Sequence, residues 1–290
     1  MRMFHGPDEL RAFAEDARAQ RRRIAFVPTM GALHDGHGSL LTEARRRAEI
    51  SVLSIFVNPL QFAPTEDLAR YPRPLDADLA RAEAAGVDVV YLPTRATMYP
   101  PGYETTIDVA EVTRDLDGAS RPGHFRGVAT VVCKLFSAVR PHVALFGCKD
   151  YQQLQVVRRM TLDLDLGIDI VGMPIVRDAD GLALSSRNVY LSTNERQVAL
   201  AIPRAIDTVR AAYERGERDR DALLVEARAL LAPLSVDYLE LRDATTLVRV
   251  EHARAPVVVL VAAKVGNTRL IDNLVLGATP STRAGGSVAP

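Results

Sequence analysis

Short apolar runs alternate with helical patterns through the first 175 residues. Residues 24–27, 51–57, 88–91, 143–146 and 168–171 read as strands, with helices over 36–48, 76–84, 127–139 and 151–162. Short apolar strands separated by helices belong in a parallel sheet covered on both faces. In such sheets ligands sit beyond the carboxyl ends of the strands, where loops pass into helix N-termini. The pattern changes from about Val176. Ser192-Thr193-Asn194-Glu195 offers capping chemistry for a helix running to about Arg215, with a bend or interruption expected at Pro203. A second helix is expected over 219–231, then strands over 236–241, 256–263 and 268–274, with a hairpin at Val265-Gly266-Asn267. The expectation is therefore an α/β chain: a parallel-sheet domain over 1–175 and a smaller mixed domain with an antiparallel sheet over 176–278. The small, polar tail over 279–290 reads as disordered.

Composition narrows the function classes. The 290 residues are 48% hydrophobic, enough to fill real cores, and Lys+Arg 36 balances Asp+Glu 36. With no global basic field, neither nucleic acid nor a membrane surface is an expected partner, and any anion site must be local. No apolar run approaches a membrane span, and residues 1–23 are too charged for a secretory signal. Cys133 and Cys148 lack metal-ligand spacing and read as reduced, buried thiols of a cytosolic protein. Lysine stands only at Lys134, Lys149 and Lys264, so a loop lysine is worth noting where every other cation is arginine.

The richest stretch is Pro28 to Leu40, PTMGALHDGHGSL, between an apolar run and a helix. Its glycines allow close backbone approach, and free amides at the helix start favour an anion. His34 and His37 fall on one side of the first turn, where imidazole N–H groups can donate to phosphate oxygens. An HxxH pair alone is more often an ordinary turn, and zinc is disfavoured because no further ligand stands at metal spacing. Three more loops point toward a polyanion, with a nucleoside triphosphate the obvious candidate. They are Phe146-Gly147-Cys148-Lys149-Asp150, Leu184-Ser185-Ser186-Arg187-Asn188 and the basic loop from Arg121 to Gly127. Asn58, Gln61 and Gln153 supply uncharged amides suited to hydroxyl or carboxylate oxygens, although a turn role for Asn58 and a solvated Gln153 are the plainer readings. Asp76 and Asp78 read as helix-start carboxylates more readily than as neighbours of magnesium.

In this order, PTMGALHDGHGSL, FVNPLQF, YPRPLDADL, RPGHFRGVATVV, LFGCKDYQQLQVVRRM and RDADGLALSSRNVYLS resemble the pantothenate synthetases (pantoate–β-alanine ligases) of the nucleotidyltransferase superfamily. The likeness is dense from 24 to 192 and rests mainly on length and hydrophobic pattern beyond. It implies a cytoplasmic homodimer with a Rossmann-like first domain and a second domain acting as a lid. ATP and (R)-pantoate would give pantoyl adenylate and pyrophosphate; β-alanine would then give pantothenate and AMP, with magnesium accompanying the triphosphate. By motif, Met30, Gly31, Ala32, Leu33, His34, Asp35, Gly36 and His37 would bind ATP, together with Gly147, Cys148, Lys149, Asp150, Val176, Leu184, Ser185, Ser186 and Arg187. His37 would be the catalytic histidine, and His34, Lys149, Ser185, Ser186 and Arg187 suit neutralisation of phosphate charge. Gln61 and Gln153 would bind pantoate, with Gln61 near β-alanine. Gly38 stands where the family commonly has a bulkier apolar residue, and Pro74 and Ala77 alter the segment before Asp78, so no metal ligand is assigned.

Two rival readings stay open. A nucleotidyltransferase that adenylylates a phosphorylated acceptor would want basic residues where this chain has Gln61 and Gln153. A nucleotide-binding protein without turnover would have less need of His37, Lys149 and Ser185-Ser186-Arg187.

Overall fold

A computed structural model describes residues 1–64, 66–254 and 256–277. The 279–290 tail expectation lies outside the described residues. Two compact units emerge: residues 1–176 with 184–186, and residues 177–183 with 187 onward.

The first unit opens with β1 (Arg2–Phe4) and α1 (Pro7–Ala19), then β2 (Ile24–Thr29), α2 (Asp35–Arg47), β3 (Ile50–Ile55), α3 (Leu75–Ala84) and β4 (Val89–Tyr91). It continues through α4 (Arg95–Met98), α5 (Asp117–Ser120), α6 (His124–Val139), β5 (Val143–Gly147), α7 (Tyr151–Asp163) and β6 (Asp169–Met173). All strand pairs are parallel, in the order β1-β4-β3-β2-β5-β6. Alternate strand residues fill two cores. Phe26, Val52, Val89 and Phe146 pack with α1, α6 and α7; Ala25, Val27, Leu53, Val90 and Leu145 pack with α2 and α3. Both faces are thus covered, as apolar parallel strands require.

From β2 the chain winds outward to β3 and β4, then crosses back to lay β5 on the other side of β2. This reversal opens a crevice at the carboxyl ends of β2 and β5, the usual ligand position in such sheets. The loops after those two strands hold residues 30–34 and 148–150.

The second unit holds α8 (Thr193–Ala199), α9 (Ala201–Glu214), α10 (Arg220–Leu231), β7 (Ser235–Asp243), β8 (Val257–Val265) and β9 (Thr268–Leu276). Its sheet is antiparallel, and α9 and α10 bury Ile202, Ile206, Leu223 and Leu224 with alternate residues of β8. Gly266 and Asn267 form a two-residue hairpin whose flanking pair is Val265 and Thr268.

The structure differs from the sequence reading in three places. The charged opening segment forms β1 and α1, the helix marked by Pro7 at its start, Asp8 and Glu9 in its first turn, and a buried Leu10, Ala14, Ala17 stripe. The expected long helix breaks at Leu200, not Pro203. Pro203 sits in the first turn of α9, where no intrahelical partner exists for its missing N–H. Asp78 and Asp150 are not side-chain caps of their helices.

Candidate active site

The loop after β2 carries two successive left-handed residues, Gly31 at φ 79° and Ala32 at φ 50°. Glycine is needed at 31 for space as well, since a Cβ there would lie 2.8 Å from Asp78 Oδ2. Left-handed alanine is costly and persists only where its surroundings over-determine it. Asp78 does this. Its Oδ2 accepts the Ala32 amide at 2.8 Å and its Oδ1 the Leu33 amide at 2.7 Å. The carboxylate is 2% exposed and fully engaged, which is neither the capping nor the metal role considered for it.

His34 then caps α2. Its Nδ1 accepts the Gly36 amide at 3.2 Å, and the Nδ1 of His37 accepts the His34 amide at 3.2 Å. A backbone N–H can only donate, so each Nδ1 is an acceptor and each proton sits on Nε2. The rings stand 4.1 Å apart. Burial, then the neighbouring His34, pushes the His37 imidazole down to about 3 against the opposing Asp150. His34 is also lowered, by burial and by the Lys149 charge. The pair is therefore two neutral imidazoles, each carrying its proton on Nε2, at the start of a helix.

Lys149, in the turn after β5, lies 3.7 Å from Asp150, and its charge acts on both histidines. Gly147 ends β5, and the Cys148 amide is pinned to the Met173 carbonyl at 2.8 Å. The Cys148 side chain packs against the core, and burial raises its thiol pKa; it is a support for the loop rather than a reactive group. Burial raises the Cys133 thiol as well. Asp35 is exposed and pairs with Arg81 at 3.1 Å.

The Leu184 amide donates to the Val176 carbonyl at 3.0 Å, joining two of the expected nucleotide segments. Ser186 Oγ lies 3.2 Å from the hydroxyl of Tyr71, a buried residue whose ring stacks edgewise on Phe62. Ser185 belongs to the same stretch of the first unit; Arg187 belongs to the second, in the turn Ser186–Tyr190.

Gln61 is 8% exposed in the turn Pro59–Gln61. Its Oε1 accepts from Asn58 Nδ2 at 3.1 Å, and its Nε2 reaches the Met30 sulfur at 3.0 Å. The polarity of this amide is fixed from behind. Asn58 Oδ1 accepts the Leu60 amide and the Tyr99 hydroxyl, while Asn58 Nδ2 also donates to the Gly127 carbonyl. Asn58 is thus consumed structurally, and Gln61 presents an N–H donor whose partner among the described residues is the soft Met30 sulfur. Gln153, half-buried in the first turn of α7, makes no side-chain hydrogen bond to Gln61.

One expected anion loop has another use. Arg121 is bound to Glu66 at 2.6 Å, so its guanidinium is committed inside the protein, and Arg126 pairs with Asp108. Asp78 and Tyr71 are the residues the sequence reading undervalued. YPRPLDADL carries both, but nothing in that string shows that Asp78 reaches back 46 positions to Ala32.

The site therefore offers neutral imidazole donors, an ammonium and a carboxamide donor at the switch point of a parallel sheet. A family model described as pantoate-beta-alanine ligase matches residues 2–275. The chain is 56% identical over 283 residues to a pantothenate synthetase of Trichlorobacter lovleyi, covering 97% of this chain and all of that one. A crystal structure of pantothenate synthetase from Thermus thermophilus aligns with TM-score 0.90 at 45% identity, covering 94% of this chain and 99% of that one. A Francisella tularensis pantoate-beta-alanine ligase, described as complexed with beta-gamma ATP and beta-alanine, aligns with TM-score 0.78 at 30% identity over 97% of this chain and 100% of that one. Fold, full-length identity and motif order agree: this chain belongs to the pantoate–β-alanine ligase family.

Proposed function

We propose that the crevice at the β2 and β5 strand ends binds ATP beside pantoate and carries both half-reactions of pantothenate formation. The chain is a carbon–nitrogen ligase that joins pantoate to β-alanine, as its family does. In the first step a pantoate carboxylate oxygen attacks the α-phosphorus of ATP, and pyrophosphate leaves. In the second the neutral amine of β-alanine attacks the acyl carbon of the pantoyl adenylate. The amide forms, AMP leaves, and the amine gives up a proton.

A carboxylate nucleophile needs no base, so the work is positioning and charge neutralisation. The observation that carries this reading is the tautomer of the histidine pair, with both Nδ1 atoms occupied by backbone amides. His34 and His37 then donate from Nε2 to phosphate oxygens without competing as cations for the carboxylate. Lys149 supplies the compact positive charge, with Ser185, Ser186 and Arg187 on the remaining phosphate oxygens. The chain segments 30–37 and 147–150, with Val176 and Leu184, enclose the nucleotide, their amides being spent largely on holding the loops in shape. Gln61 exchanges the Met30 sulfur for a pantoate oxygen, and Gln153 holds the acid from α7.

Magnesium enters as part of the triphosphate substrate. Among the described residues no group of three or more His, Cys, Asp or Glu is placed to hold a metal, and Asp78 is spent on two amides, so no step is routed through the ion. The second unit takes the role of a lid, because the adenylate is labile to water. A cytoplasmic homodimer completes the reading, and two thiols whose pKa burial raises, Cys133 and Cys148, fit a reducing compartment.

The test supplies ATP, magnesium, pantoate and β-alanine and follows AMP and pyrophosphate. Product that depends on both acids supports the ligase. Pyrophosphate released only with a phosphorylated acceptor transfers the site to the nucleotidyltransferase reading, and binding without turnover to the non-catalytic one.

A further inference from the structure

The Gln61 carbonyl receives two donors from the loop that opens α6. His124 Nδ1 lies 2.8 Å from it and Arg121 Nη2 lies 3.3 Å away. Arg121 Nη1 is also 2.9 Å from His124 Nε2. A guanidinium has no acceptor, so His124 Nε2 must accept and Nδ1–H must donate to Gln61. Behind them, Arg121 grips both oxygens of Glu66, Nε to Oε1 at 2.6 Å and Nη2 to Oε2 at 3.0 Å. Glu66 Oε2 in turn accepts the Ala63 amide at 3.2 Å. Every member of this chain of contacts has one polarity, and its end point is the backbone of the residue whose carboxamide faces Met30.

The ion pair is shielded, with side chains 16% and 22% exposed, and His124 is 9% exposed. Burial opposes the Glu66 carboxylate, but hydrogen bonds and charge from Arg121 outweigh it and hold its pKa below the ordinary value. Burial, reinforced by Arg121, pushes His124 down to about 4. The floor under the turn is equally firm: a Cβ on Gly127 would lie 2.2 Å from the Leu60 carbonyl oxygen, so α6 packs directly on this backbone.

We propose that Glu66, Arg121 and His124 form a positioning clamp that sets the Gln61 carboxamide for the hydroxy-acid substrate, and so govern pantoate recognition without touching the nucleotide. A bidentate arginine and a doubly bonded imidazole fix direction as well as distance, which a single contact does not. The inference rests on the assignment of Gln61 to the acid substrate.

The experiment measures KM for pantoate, KM for ATP and kcat in the intact chain and in Glu66→Gln, Arg121→Lys and His124→Leu. Loosening the clamp is expected to raise the pantoate KM by about tenfold or more, as loss of an orienting charged hydrogen bond should, with the ATP KM changed less than about threefold. His124→Asn keeps a donor at the Nδ1 position and is expected to retain more pantoate affinity than His124→Leu. Should the histidine variants fail to fold, Glu66→Gln, which changes one partly exposed charge, carries the same test. An unchanged pantoate KM in the folded variants, or pantoate and ATP KM rising together, overturns the clamp. An intact chain whose turnover ignores pantoate removes the function assignment instead, and the clamp with it.

Discussion

Asp78 Oδ2 accepts the Ala32 amide at 2.8 Å, tying the start of α3 to a left-handed alanine in the loop after β2. The other oxygen takes Leu33, so one buried carboxylate holds two consecutive amides. Asn at this position can accept with only one oxygen and sets an NH2 against the second amide. Asp78→Asn is expected to cost on the order of 1–3 kcal/mol of stability, the usual cost of an unmatched buried polar group. Because the same loop is proposed to hold ATP, the ATP KM is expected to rise with it. Thermal melts and ATP titration check both, and wild-type values in each would mean that the loop keeps its shape unaided.

That the first unit is a parallel sheet covered on both faces, by contrast, needed no long-range information to anticipate. Ile24 to Val27 and Val143 to Phe146 are apolar throughout because both their faces are buried, and that is visible in the letters. The loops at their ends announced themselves through glycine, histidine and lysine. What the letters hid was the support: Asp78 under Ala32, Asn58 behind Gln61, Glu66 on Arg121. Asp78 with Ala32 and Glu66 with Arg121 join residues 46 and 55 positions apart, while Asn58 caps the turn that holds Gln61, so a purely local role already accounted for it. The break at Leu200 was hidden for another reason, since Pro203 drew attention to itself while occupying a position that tolerates it.

Gly38 is an interior residue of α2 with open space where a Cβ would stand. Its φ is not in the left-handed region that would demand glycine. Gly38→Ala is therefore expected to stabilise the chain by about 0.5–1 kcal/mol through helix propensity alone. A lowered melting temperature would show that the side chain meets something.

His37→Ala and Lys149→Ala each remove one group proposed to neutralise phosphate charge. Each is expected to cut turnover by about 100-fold or more, the scale seen when an electrostatic donor is lost. His37 also anchors the His34 amide, so His37→Ala is expected to lower the melting temperature as well. Lys149→Ala separates the two effects, because the lysine caps no amide in that helix turn. Near-wild-type kcat in both variants would take these residues out of the mechanism.

Imidazoles whose pKa the fold lowers make stability depend on pH in a recognisable window. His37 is pushed down to about 3 and His124 to about 4, from an ordinary 6.5, and His34 is lowered with them. Between the folded and ordinary values the unfolded chain binds protons that the folded chain refuses. Their stabilising contribution is thus complete above about pH 6.5 and is lost as the pH falls toward 4 and 3. Lowered carboxylates such as Glu66, with an ordinary value of 4.5, begin to add their own loss only near and below that value. The interval from 6.5 to 4.5 therefore belongs to the histidines, and His37 and His124, the two most strongly lowered, are each expected to contribute on the order of 2 kcal/mol across it. Denaturant melts at half-unit steps measure the slope. His37→Gln, which cannot titrate, is expected to flatten it by about one proton, or roughly 1.4 kcal/mol per pH unit. An unchanged slope would mean that His37 is protonated in the folded protein, and the neutral Nε2–H donor assigned to it would fall.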